Sequence, residues 1–159
     1  MADSDAVTAL VDAYFSAWNA QDAAKLRECF DENVSLTDWD VAVSGIDAVV
    51  EANQGIWKAV PAIRIVVKNV VAGRDSRAFG GPVATCEISV ELNDDAKTVL
   101  TVVDVIDVSN QGNIKSVRAY KQWSIDRMRN RKSRTDETTS NALRLVVRRR
   151  ARASDSPPD

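Results

Sequence analysis

Three side chains stand out because each puts an oxygen where the surrounding pattern calls for carbon. Asp104 sits in TVLTVVDVIDV, a run apolar on both faces, and Leu100, Val102, Ile106 and Val108 share its side. A carboxyl buried there is costly to ionise, so its pKa should rise. Asp38 shares one face of a period-two stretch, 34–40, with Val34 and Leu36, and so points inward too. Tyr14 lies within an apolar stripe at helical spacing, where its hydroxyl needs a partner if buried. A carboxylate base, a neutral carboxylic acid and a phenol are enough for proton transfer with stabilisation of a developing oxyanion. Periodicity makes each of the three point inward; it does not by itself bring them together.

The composition narrows the chemistry. The 159 residues contain no histidine, which removes every mechanism with a histidine base, nucleophile partner or metal ligand. Two cysteines, Cys29 and Cys86, are too few for a structural zinc site or a disulfide scaffold, and both read as small core residues. No metal and no cofactor is expected. The net charge of −2 conceals an acidic body and a basic end: residues 1–125 carry −7 and residues 126–159 carry +5. No stretch approaches a membrane span. The acidic opening MADSDAVTAL lacks the basic start of a secretory signal, so a cytoplasmic setting is expected.

The elements that must hold these residues follow from periodicity. Val7, Leu10, Val11, Tyr14, Ala17 and Trp18 form one face of a helix over 5–20, which Asn19-Ala20-Gln21-Asp22 breaks. Asp22 can cap a second helix over 23–31. A strand over 34–40 follows, and Ser44-Gly45 opens a third helix with Ile46, Val49, Val50, Asn53, Ile56 and Trp57 inward. Strands are expected over 62–72, 83–92, 97–108 and 114–122. The clean alternation of 83–92 marks an antiparallel sheet with one wet face. The layout is α+β, with three N-terminal helices covering one face of a curved, mostly antiparallel sheet. Residues 1–125 make one domain. Residues 126–159 read as a basic, disordered-type tail; the alternative reading is a contact with nucleic acid or an anionic membrane.

Three segments carry a family resemblance: AVTALVDAYFSAWNAQDAAKLRECFDENVSLTD (6–38), VVDVIDV (102–108) and GNIKSVRAY (112–120). They resemble the ketosteroid isomerases, within the nuclear transport factor 2-like superfamily that also holds the SnoaL-like polyketide cyclases. The resemblance implies a cone-shaped fold enclosing a pocket, a homodimer, and a small apolar carbonyl ligand of steroid or polyketide type. It also implies roles: Asp38 as the base, Tyr14 and a protonated Asp104 as the oxyanion hole. Trp18, Trp57, Asp40, Val102 and Trp123 would bind substrate. The chain departs from the family at several places. Trp39 stands where proline often follows the base, and Asp40 lies two residues beyond Asp38, so either carboxylate could take the proton. Glu51-Ala52-Asn53-Gln54 replaces the aromatic residues of helix three, and Lys121 replaces an aromatic of the last strand. A related cyclase or lyase, or a non-catalytic ligand-binding or dimerisation module, is the alternative function.

Overall fold

The structure, a computed structural model, describes residues 4–74 and 81–122. Trp123 and the basic segment 126–159 lie outside the described residues. Among the described residues three helices, α1 (Ser4–Asn19), α2 (Ala23–Glu28) and α3 (Ile46–Ala59), lie with six strands. These are β1 (Phe30–Thr37), β2 (Ala42–Ser44), β3 (Arg64–Arg74), β4 (Pro82–Glu91), β5 (Val99–Val108) and β6 (Ile114–Lys121). They form one sheet in the order β2-β1-β6-β5-β4-β3. Neighbours are antiparallel except β1 and β6. The architecture is the expected one: α+β, with helices packed on an open, mostly antiparallel sheet.

The meander follows its hydrophobic alternation. Ala84, Cys86, Ile88 and Val90 of β4 are buried, as are Val102, Asp104 and Ile106 of β5. Against this face pack Val7, Val11, Tyr14, Phe15 and Trp18 of α1, and Val49, Val50, Asn53 and Trp57 of α3. Both cysteines are buried in this core.

The residues that end α1 also anchor it. Asn19 donates from Nδ2 to the Ile65 carbonyl and accepts from the Ile65 N–H through Oδ1, each at 2.8 Å. This amide clamp joins the helix to the start of β3. Asp22 caps α2 by accepting from the Lys25 N–H, so each polar residue of the Asn19–Asp22 break has a local task.

The first third of the chain differs from its sequence pattern. The second helix stops at Glu28, and Phe30 already belongs to β1, where it aligns in parallel with Ile114. Such a pairing joins segments some eighty residues apart, and local periodicity does not reveal it. Asp38 is not on a strand: β1 ends at Thr37, and the chain turns to pair back through β2. Gly45 precedes α3 with φ of 90°, a conformation suited to glycine.

Candidate active site

Asp104 is positioned by the centre of the meander, opposite Cys86 of β4 and Ala119 of β6. It is 5% exposed, and its Oδ1 is buried without a hydrogen-bond partner. Burial foremost, and then the charge of Asp38, push its pKa to about 7. Here the carboxylic acid form is the stable one in mildly acidic water. Val102, two residues earlier on the same face, is buried beside it.

Tyr14 comes from the inner face of α1, where its ring meets Phe15 and Phe30 at centroid distances of 4.9 and 5.9 Å. Burial, followed by the nearby Asp104, Cys86 and Cys29, holds its pKa well above the ordinary tyrosine value. The phenol therefore keeps its proton and remains a donor throughout the physiological range.

Asp38 reaches the same region from the β1–β2 turn rather than from a strand face. Its Oδ1 accepts from the N–H groups of Asp40 and Val41, both at 2.6 Å, and its own N–H donates to the Val41 carbonyl at 2.8 Å. An aspartate that bonds to the backbone just ahead of it makes a tight turn. The turn occupies Oδ1 and leaves Oδ2 for a proton. Burial raises the Asp38 pKa; the two N–H groups and Lys121 oppose that rise, and Asp40 reinforces it. Lys121 is held with its Nζ 4.9 Å from the Trp39 ring centroid.

The structure therefore brings Tyr14, Asp104 and Asp38 within electrostatic reach: Asp104 acts on Tyr14, and Asp38 acts on Asp104. Asp40 stands beside Asp38, half-buried. Trp18 and Trp57 meet edge to face at 5.9 Å. The Trp18 Nε1 donates to Asn53 Oδ1 at 2.8 Å, and Asn53 Nδ2 donates to the Val49 carbonyl at 2.8 Å. None of these residues lines the open groove between α1 and α2, whose walls include Leu10, Ala13, Ala20 and Lys25.

Two groups take on roles that the pattern did not give them. Asn53 was placed inward with no task; a polar residue at an apolar helical position was the signal. Arg118 forms an ion pair with Asp107 and also donates to Ser116 Oγ at 3.0 Å. Asp107 is only 3% exposed, although it occupies the opposite face of β5 from Asp104. Among the described residues no cluster of three or more Cys, Asp or Glu side chains could hold a metal ion, and no helix is long and apolar enough to cross a membrane.

Comparison with known proteins agrees with this architecture. The model of the SnoaL-like domain matches residues 11–117. Among curated protein sequences there is no match. A candidate ketosteroid isomerase from Kribbella flavida superposes with a TM-score of 0.63 at 19% identity, over 78% of this chain and 83% of that one. The epoxide hydrolase/cyclase-like enzyme SalBIII, which acts in pyran ring formation in the polyether salinomycin, superposes with a TM-score of 0.62 at 23% identity, over 77% and 95%. The orange carotenoid protein of Anabaena (Nostoc), binding canthaxanthin, gives 0.63 at 19% identity, over 76% of this chain and 38% of that one.

Proposed function

This chain belongs to the SnoaL-like domain family, and on that premise we propose that it moves a proton next to the carbonyl of an apolar substrate of steroid or polyketide type. The observation that carries the reading is the contrast between two carboxyls, one half-buried and one buried. Asp38 has two backbone N–H groups and a nearby lysine that favour its anion. Asp104 has an unpartnered oxygen in an apolar strand face. When two carboxyls in one low-dielectric site have environments this different, one serves as base and the other as acid.

In this reading Asp38 Oδ2 removes a proton from the carbon next to the carbonyl. The electron pair of that C–H bond moves into the carbonyl, making an enolate. Tyr14 O–H and protonated Asp104 donate hydrogen bonds to the enolate oxygen. Asp38 then returns the same proton to a different carbon, so the double bond migrates and the carboxylate is regenerated. Donors fixed in advance around a developing oxyanion are usually the largest catalytic contribution, roughly 3–4 kcal/mol for each one removed in other enzymes. The base adds roughly 10²–10⁴-fold. Trp18, Trp57 and Val102 supply apolar walls, and Asp40 tunes Asp38 through its charge. We further propose a homodimer formed through the outward sheet face, which exposes Val71, Val99 and Tyr120; sedimentation as a monomer alone at micromolar concentration would refute it.

The test is conversion of a β,γ-unsaturated 3-ketosteroid to its conjugated enone, followed by the growth of ultraviolet absorbance. Wild-type protein should convert it, Asp38→Asn should lose roughly 10²–10⁴-fold, and Asp104→Leu should lose on the order of 10²-fold or more. Tight binding of a phenol with no turnover of ketone substrates would reduce the domain to a binding module.

A further inference from the structure

We propose that Lys121 is a positioning residue for the base: Trp39 holds its ammonium group beside the Asp38 turn, where it favours the carboxylate that must take the proton. That role rests on the proton-transfer reading and adds a residue to it. The placement begins with strand register. β1 and β6 run parallel, and Thr37 pairs with Arg118. The next three residues of each, Asp38-Trp39-Asp40 and Ala119-Tyr120-Lys121, therefore continue at the same end of the sheet. Side chains of β6 alternate: Val117 is buried and Ala119 lies opposite Asp104, whereas Tyr120 is exposed. Lys121 lies opposite Val102 and so shares the face of Asp104. A lysine at an inward position ordinarily carries its charge out to water along its stem. This one is half-buried, with its Nζ 4.9 Å from the Trp39 ring centroid, within the range at which a ring face attracts a cation. The backbone is fixed on both sides. Gln122 N–H donates to the Thr101 carbonyl at 2.9 Å, and Asp38 Oδ1 closes the turn that carries Trp39.

The charges around Asp38 give this placement its consequence. Asp40, in the same turn, disfavours the Asp38 anion, and Lys121, from β6, favours it. Asp104, from β5, faces Asp38 and is pushed toward its neutral form by it. The two backbone N–H groups also favour the anion, but they belong to the turn and remain whatever residue stands at 121. Without the lysine, Asp40 goes uncancelled while burial still penalises the charge. Asp38 then keeps its proton to higher pH, and a protonated carboxyl is no base.

The experiment follows the Asp38 carboxyl carbon by nuclear magnetic resonance through a pH titration of the substrate-free chain, the signal being the one missing from Asp38→Asn. Its midpoint should rise in Lys121→Met and return to the wild-type position in Lys121→Arg. It should rise by a smaller amount in Trp39→Leu, which keeps the lysine and removes the ring. In the ketosteroid assay, kcat/KM of Lys121→Met should fall roughly threefold to tenfold on the acid side of the profile and reach the wild-type plateau at higher pH. A merely structural lesion would lower the whole profile instead. A midpoint unchanged in Lys121→Met, or still raised in Lys121→Arg, overturns the inference. A midpoint unmoved by Trp39→Leu overturns the part given to the ring. Turnover by wild type beside an unmoved titration leaves the proton-transfer reading standing without Lys121. A moved titration beside a wild type that turns over no ketone overturns that reading and leaves Lys121 as the group that keeps Asp38 charged.

Discussion

Replacing Asp104 by asparagine should change how the fold responds to pH, quite apart from any reaction. In the unfolded chain this carboxyl titrates near its ordinary 3.8, and in the fold near 7. The folded protein thus holds the proton more tightly. The stability contributed by this group is complete below about pH 4 and drains away as pH rises toward 7, because only the unfolded chain can release the proton cheaply. The interval of about three pH units, at about 1.4 kcal/mol each, amounts to about 4 kcal/mol. The side chain is almost wholly screened from water, so solvent does little to reduce it. Asparagine has nearly the shape of the protonated acid and no charge to bury. Urea unfolding of wild type and Asp104→Asn at pH 4.5, 5.5, 6.5 and 7.5 gives the difference directly. The variant should gain on the wild type steadily across that range and be the more stable protein at the top of it. A stability difference that stays flat from pH 4.5 to 7.5 would refute the reasoning, since Asp104 would then titrate alike in both states.

Substitutions at four further positions separate structural from chemical roles. Asp38→Asn keeps an oxygen for the Asp40 and Val41 N–H groups and should cost less than about 1 kcal/mol, whereas Asp38→Ala leaves both unanswered and should cost about 1–3 kcal/mol; denaturant midpoints distinguish the two. Arg118→Met strands the Asp107 carboxylate, whose side chain is 4% exposed, and should cost about 3–5 kcal/mol. Adding Asp107→Asn should recover most of that loss in the same urea assay. Asn19→Ala removes both bonds to Ile65 and should cost about 1–3 kcal/mol, with faster hydrogen exchange at the Ile65 amide as the local sign.

Much of this organisation can be read along the chain, and what cannot has a definite physical origin. The strict alternation of 83–92 and the stripe of α1 describe burial on one face, which is the signal that periodicity carries, and β4 and α1 formed accordingly. Asp104 was legible because a lone carboxyl inside an apolar run has no solvent side to escape to. The strand face predicted for Asp38 did not form: Asp38-Trp39-Asp40 continues a period-two pattern, but the aspartate bonds its own backbone and turns the chain. The short β2 has only three residues, too few for any period. Phe30 joins β1 by pairing with Ile114, a long-range choice. Asp107 stayed hidden because alternation assigns a carboxylate on the outer face to water. Only the fold brings Arg118 across from the next strand to cover it.

The Asn19 clamp makes α1 a lever pinned at one end. Tyr14 sits five residues from the fulcrum, about 7.5 Å, and Val7 twelve residues away, about 18 Å. A tilt of about 5° therefore shifts the tyrosine by less than about 1 Å and the first turn by more than about 1.5 Å. A tilt of that size would therefore disturb the packing of buried Val7 before it moved the Tyr14 hydroxyl appreciably.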